Sequence, residues 1–97
     1  MSYIILFKND TWDSETGRYD LTDDGSFHPW TDPQNDNLSS FKFLLPVGWE
    51  IRIHRHRDRD SEYFAWRGTG QEESINKNQI PGWLHDEASG HSWAKIA

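Results

Sequence analysis

Two short runs in the middle of the chain place apolar residues at every second position, and they constrain the fold more than any other feature. The first run carries Phe41, Phe43 and Leu45, and the second carries Trp49, Ile51 and Ile53. A period of two puts alternate side chains on one face of a strand, so each run predicts a strand with one buried face. Pro46 and Gly48 separate the two runs and predict a turn between them.

Glycine and proline punctuate the rest of the chain in the same way, at intervals of about ten residues. This spacing favours the short strands of a β-sandwich over helices. Only residues 30 to 34 and residues 71 to 78 are candidates for a helical turn. We therefore expect an all-β fold.

The size of the chain and its lack of cysteine determine how such a fold can be stabilised. Ninety-seven residues without cysteine make one domain that has neither disulfides nor a thiolate metal site. Six Trp, five Phe and three Tyr supply a large apolar area for a chain of this length. Stability must therefore come from packing, and a bound cation would add to it.

The charge is acidic and uneven, which limits the classes of partner. Residues 1 to 48 carry three basic and eight acidic side chains, whereas residues 49 to 97 carry seven and eight. A net charge of −6 gives no general attraction for phosphate backbones, so we expect no nucleic-acid partner. We also expect no membrane span and no signal peptide, and take the cytoplasm as the default location.

An oxygen-rich stretch precedes the first of the two runs. It comprises Asn35, Asp36, Asn37, Leu38, Ser39 and Ser40. Calcium binds carboxylate, amide, hydroxyl and backbone carbonyl oxygens, and this stretch offers all four kinds. Asn, Asp and Ser are also common turn formers, so the composition alone does not separate a calcium loop from a polar turn.

The stretch and its surroundings resemble the calcium-binding βγ-crystallin motif, whose signature is Asn/Asp, Asn/Asp, two variable residues, Ser/Thr and Ser. Upstream, Phe7 and Trp12 resemble the aromatic pair of that family's opening hairpin, although Ser14 stands where the family has Gly. The resemblance covers residues 3 to 54. It implies a single domain of two Greek key motifs packed as a βγ-crystallin-like sandwich, with the first key at about 1–47 and a degenerate second key at about 48–97.

The resemblance also implies a set of calcium ligands shared between the keys. The first loop would supply side-chain, carbonyl and hydroxyl oxygens, and the hairpin of the second key would supply backbone carbonyls. The implied ligand residues are Asn35, Asp36, Asn37, Ser39, Arg55 and His56. The implied function is a calcium-binding structural or stress-related module, which we expect to be monomeric, with an unidentified protein as an additional partner.

The second key departs from the signature. Its counterpart of the loop, taken as residues 87 to 92, retains only Ser92, while Ala88 cannot bind a metal and His91 stands where a hydroxyl is expected. We therefore expect one intact calcium site rather than two. Asp86 is the one nearby residue that could supply a further oxygen.

The sequence leaves three alternatives open. His54 and His56 form an H-x-H pair that suits a transition metal if a third ligand converges, although two solvent-facing histidines are the simpler interpretation. Exposed tryptophans could bind a carbohydrate or a protein, although most are better explained as core. Some small proteinase inhibitors share the crystallin-like sandwich. No catalytic motif occurs, so we expect no enzyme.

Overall fold

A computed structural model of the chain describes residues 2–8, 15–21, 28–30, 38–55, 63–84 and 88–96. The strands are β1 (Tyr3–Phe7), β2 (Glu15–Asp20), β3 (His28–Pro29), β4 (Ser40–Leu44), β5 (Trp49–His54), β6 (Tyr63–Arg67), β7 (Glu73–Ile75) and β8 (Gly90–Lys95). A single turn of 3-10 helix, Lys77–Gln79, follows β7. In the part of the chain so described, no helix is long and apolar enough to cross a membrane.

The strands form two antiparallel four-stranded sheets. Sheet A has the order β2-β1-β4-β7, and sheet B has the order β3-β8-β5-β6. The third strand of each half of the chain, β3 or β7, crosses to the sheet built mainly by the other half. This exchange makes two interlocked Greek keys, so the predicted all-β, two-key sandwich is confirmed.

The two halves of the chain are related by matching strand registers. Phe7 at the end of β1 pairs with Ser40, and His54 at the end of β5 pairs with Gly90. Backbone hydrogen bonds just beyond these pairs also match, because Ser39 N donates to Phe7 O at 3.0 Å and Ser89 N donates to His54 O at 2.8 Å. Phe7 and His54 therefore occupy equivalent positions in the two keys.

The expectation of a helical turn at residues 71 to 78 is wrong for most of that segment. Ile75 lies in β7, buried opposite Phe41 of β4, because an apolar residue there completes the core at the edge of sheet A. Helical geometry starts only after Asn76, whose side chain accepts a hydrogen bond from Asn78 N at 2.9 Å as an N-cap. In the other candidate, residue 30 is not helical, and residues 31 to 34 lie outside the described residues.

The core lies between the inward faces of the two sheets. Both predicted alternating runs contribute to it, since Phe41, Phe43, Ile51 and Ile53 are fully buried. Trp49 is only partly buried and packs against the edge of this core. The buried apolar residues of the core are Ile4, Leu6, Leu21, Trp30, Leu38, Phe41, Phe43, Leu45, Ile51, Ile53, Ile75, Ile80, Leu84, Ala88 and Trp93.

Gly68 marks a close approach of two chain segments, and this gives a test of the packing. A Cβ atom added there would lie 2.5 Å from Pro46 O and 2.7 Å from Leu45 Cβ. Because backbone atoms cannot yield cheaply, we expect Gly68→Ala to lower the free energy of unfolding by about 1–3 kcal/mol in urea denaturation. Gly82→Ala is the matched control, since a Cβ there meets nothing within 4 Å. Equal effects of both substitutions would contradict the described packing.

Candidate functional site

The C-terminal end of the predicted calcium loop is fixed to the end of β1. Leu38 is buried in the core, Ser39 is buried with its backbone N–H on Phe7 O, and Ser40 begins β4. Leu38, the one apolar residue of this polar stretch, thus anchors the stretch to sheet A. Asn35, Asp36 and Asn37 lie outside the described residues.

Of the two calcium ligands predicted from the second key, one is described by the structure and one is not. Arg55 follows β5 and is partly buried, while His56 lies outside the described residues. Ser39 precedes a strand of sheet A, and Arg55 follows a strand of sheet B. The two described members of the predicted ligand set therefore belong to opposite sheets.

The predicted counterpart of the loop in the second key is displaced. Ser92 lies inside β8, paired with Arg52, rather than at the end of a loop. The registers make Ser89 the counterpart of Ser39, because both donate a backbone hydrogen bond to the last residue of the first strand of their key. Counted back along the sequence from this pair, residues 85 to 90 correspond to residues 35 to 40.

This shift changes which residues are compared in the two keys. The second stretch keeps an aspartate and a serine, Asp86 and Ser89, but has His85 and Gly90 at its two ends. Five of the six side chains in residues 35 to 40 carry oxygen, against three of the six in residues 85 to 90. The first loop remains the richer in oxygen. Residues 85 to 87 lie outside the described residues.

His54, the first member of the H-x-H pair, is not solvent-facing. It is 2% exposed, and its Nε2 lies 2.7 Å from Ser92 Oγ in a hydrogen bond across β5 and β8. Its ring also packs on Tyr63, with centroids 5.2 Å apart. The solvent-facing interpretation is therefore wrong for His54. Within the described ranges, no group of three or more His, Cys, Asp or Glu side chains could hold a metal ion.

Most of the tryptophans that the structure describes are core, as expected. Trp30 and Trp93 are buried, and Trp66 is partly buried against the core. Among these described tryptophans Trp83 is the exception at 41% exposed, in the turn that follows Pro81. One exposed indole gives no platform for a sugar ring by itself.

A buried aromatic cluster around His91 was missed by the sequence interpretation. The Trp30 indole Nε1–H donates to His91 Nδ1 at 2.8 Å, and both side chains are 1% exposed. The signal was available, because His91 and Trp93 alternate with Ser92 and Ala94, as expected for a strand with one buried face. Treating His91 as a loop residue concealed that pattern.

The electrostatic features of the described surface are local pairs. Arg52 Nε lies 2.6 Å from Glu50 Oε2, and the Arg52 guanidinium also lies over the Tyr63 ring at 4.9 Å. The Tyr3 hydroxyl donates a hydrogen bond to the Glu72 carboxylate, and this bond raises the pKa of Tyr3. At least the first arginine of the basic run at residues 52 to 59 is therefore paired.

The side-chain composition of residues 35 to 40 is compatible with calcium. The Ser39 backbone is fixed by its bond to β1, and its hydroxyl is one of the oxygen ligand types that calcium accepts. The stretch also contains carboxylate and amide oxygens but no imidazole or thiolate. By composition it therefore suits a calcium ion better than a transition metal.

Comparison with known proteins identifies the fold. No family model matches the chain, and neither does any curated protein. A solved structure that bears on the evolution of the eye lens βγ-crystallin domain fold is similar, with a TM-score of 0.65 and 12% identity over 98% of this chain and 87% of that one.

A second solved structure, a double threonine-to-serine variant of a βγ-crystallin domain from Clostridium beijerinckii, is similar with a TM-score of 0.55. Its identity to this chain is 12%, and the match covers 94% of each chain. Both matches span nearly the whole chain. The chain therefore folds as a βγ-crystallin-like domain.

Proposed function

We propose that this domain is a calcium-binding structural module of the βγ-crystallin type, with one dominant site at the loop of residues 35 to 40. The placement of Ser39 supports this most directly. Its backbone is held against the end of β1, and the buried Leu38 fixes the residue before it. Because the backbone of Ser39 is already held, this residue would lose little conformational entropy on binding.

The distribution of charge favours the first loop over the second. Residues 1 to 48 carry eight acidic and three basic side chains, so the potential around that loop attracts a divalent cation. Pairing of Arg52 with Glu50 removes part of the opposing charge that the basic run would otherwise contribute. The expected affinity is a Kd on the order of 10⁻⁶ to 10⁻⁴ M, between that of cytosolic sensors and extracellular modules.

The proposed role of the ion is mechanical. A site that takes oxygens from the first loop and carbonyls from Arg55 and His56 joins the two keys, because these groups flank strands of opposite sheets. Such a site forms only when the keys are packed. Calcium would then bind the folded state and stabilise it by mass action.

Calorimetric titration of chelator-treated protein tests this proposal. We expect one dominant calcium site in the wild type and at least tenfold weaker binding in Ser39→Ala, because the variant lacks the hydroxyl ligand. Ser74→Ala is the matched control, since Ser74 is an exposed serine in β7 of the same sheet. It should bind calcium like the wild type.

The same titration separates the alternatives. Two equal tight sites would show that the second loop is as competent as the first, and no heat at millimolar calcium would refute the proposal. A parallel zinc titration addresses the H-x-H pair. Zinc binding that is tighter than calcium binding and is lost in the double variant His54→Ala, His56→Ala would favour a transition-metal function instead.

A further inference from the structure

The two described sheets have four edge strands, and three of these edges are protected against pairing with another chain. Strands β3 and β7 span only two and three residues. Strand β2 carries charged side chains, which are Glu15, Arg18 and Asp20. Short edges and charged edges resist such pairing. Strand β6, at the edge of sheet B, has neither form of protection, because its five residues include three aromatic rings and a single charge.

The backbone of β6 has hydrogen-bonding groups on the side that faces away from β5. Gly68 N donates to Trp49 O at 2.8 Å, which fixes the alternation of hydrogen-bonded pairs along the two strands. In this alternation the backbone groups of Phe64 and Trp66 point toward β5. The other residues of the strand point theirs away from it. These residues are Tyr63, Ala65 and Arg67. Among the described strands, β6 pairs with β5 alone.

The side chains of this edge are exposed on both faces of the sheet. Tyr63 is 42% exposed and Phe64 is 41% exposed, and Arg67 is also exposed. Phe64 lies on the face toward the core, because it stands opposite the buried Ile53 and its ring packs edge-on against Trp66 at 4.9 Å. The aromatic rings at the rim of the core thus continue to the surface at Phe64. An exposed hydrophobic edge of this kind favours pairing with another strand.

The edge is complementary to itself about a twofold axis. Two copies of β6 can lie antiparallel with Ala65 of one copy opposite Ala65 of the other, and this register pairs all five residues of the strand. The outward backbone groups of residues 63, 65 and 67 then meet those of residues 67, 65 and 63 in hydrogen-bonded pairs. The axis passes the small Ala65 side chain, which is the one side chain that must meet its own copy.

The same register gives every larger side chain of the strand a suitable partner. Phe64 stands opposite Trp66 of the second copy in a non-hydrogen-bonded pair, where side chains are closest and aromatic pairs are favourable. Tyr63 stands opposite Arg67 of the second copy, so that a cation meets an aromatic ring rather than another cation. The Tyr63 ring already accepts such a contact, because the Arg52 guanidinium lies over it at 4.9 Å.

We infer that the β6 edge is a self-association surface, through which two copies of the chain pair antiparallel about Ala65. Their four-stranded sheets B then form one continuous sheet, and Phe64 becomes covered. A twofold contact of this kind closes on itself, so it yields a dimer and not a fibre. This state differs from the monomer that the family resemblance implies.

The size and charge of the contact determine its strength. One strand of five residues makes an interface at the small end of the range for specific complexes. The net charge of −6 on each copy also opposes association. We therefore expect a weak dimer, with a Kd on the order of 10⁻⁴ M in about 0.15 M salt.

Sedimentation equilibrium of the full chain from about 10 µM to 1 mM tests the inference. We expect the wild type to change from monomer to dimer over this range. Ala65→Pro should weaken the dimer at least tenfold and stay folded by circular dichroism, because it removes an N–H that no described strand of the same chain uses. The inference is overturned if the wild type stays monomeric, if it forms larger oligomers, or if the folded variant dimerises equally well.

Two substitutions of Tyr63 test the register and do not depend on the folding of the proline variant. Tyr63→Lys places a cation opposite Arg67 of the second copy, whereas Tyr63→Glu places an anion there. Both variants lose the ring that packs on His54, so they are matched in this respect. We expect Tyr63→Lys to weaken the dimer at least tenfold relative to Tyr63→Glu. Equal affinity of the two variants would refute the proposed register.

Amide hydrogen exchange, followed by nuclear magnetic resonance at low and high protein concentration, locates the contact. The amides of Phe64 and Trp66 should be protected at both concentrations, because they bond to β5. The outward amides of residues 63, 65 and 67 should be protected only in the dimer. Their exchange should slow about tenfold when roughly nine chains in ten are dimeric.

Two results of the exchange measurement would contradict the inference. A dimer in which the three outward amides exchange as fast as in the monomer would use another surface. A chain that stays monomeric, yet has these amides protected by an added peptide of Thr-Val repeats, would use its β6 edge for a foreign strand and not for a second copy.

Discussion

Saturating calcium is expected to raise the melting midpoint of the domain by about 10–20 °C relative to protein in chelator. The reason is mass action, because a site shared between the keys exists only in the folded state. At a hundredfold excess over Kd the gain is about 2.7 kcal/mol, and each kcal/mol moves the midpoint of a domain of this size by roughly 4–8 °C. Scanning calorimetry at several calcium concentrations measures the shift.

Asp36→Ala tests the cause of that shift. It removes the one carboxylate of the first loop, so most of the gain should disappear. In chelator the variant should melt close to the wild type, because loss of one negative charge relieves repulsion in the acidic half of the chain. If the wild type melts at the same temperature with and without calcium, the ion does not join the keys, even if it binds at the surface.

The sequence predicts those parts of the fold in which the spacing of apolar residues along one segment matches the burial of that segment in the structure. Each of the two central strands buries one face, so its buried residues stand at every second position. These residues are Phe41 and Phe43 in β4, and Ile51 and Ile53 in β5. The alternation is visible in the sequence itself. The turn between them is equally local, since Gly48 adopts a φ of 95° that suits glycine and follows Pro46. These features require no knowledge of the other strands.

The register of the second key was not predictable by the same means. A Ser-aromatic pair occurs at Ser40 and Phe41 and again at Ser92 and Trp93, so the two pairs invite alignment. The described strands instead align Ser40 with Gly90, because these residues pair with Phe7 and His54 at the equivalent ends of β1 and β5. Only the pairing between distant strands reveals this register.

The burial of the histidines depends on tertiary packing in the same way. His54 and His91 belong to neighbouring strands with their side chains on opposite faces of sheet B, and each finds a different hydrogen-bond partner. Both partners, Ser92 for His54 and Trp30 for His91, are remote in sequence. The sequence shows where these histidines lie along the chain. Whether each ring is solvated or buried depends on residues that only the fold brings close to it.

The largest loss of stability is expected from Phe41→Ala, in the core between the two sheets. Phe41 is 0% exposed, and its ring packs edge-on against Trp66 at 4.9 Å and near Phe43 at 5.9 Å. Removing a buried phenyl ring costs about 3–5 kcal/mol, because the transfer free energy is lost and a cavity remains. This is a large share of the roughly 5–15 kcal/mol that stabilises a typical domain. Urea denaturation should therefore show a much lower midpoint or an unfolded chain.

Phe64→Ala separates burial from aromatic contact as the source of this effect. Phe64 also packs edge-on against Trp66 at 4.9 Å, but it is 41% exposed on the edge strand β6. A partly exposed ring loses less on truncation, so we expect a cost of about 1 kcal/mol. Equal costs for the two variants would mean that contacts with Trp66, rather than burial in the core between the sheets, account for the effect of Phe41→Ala.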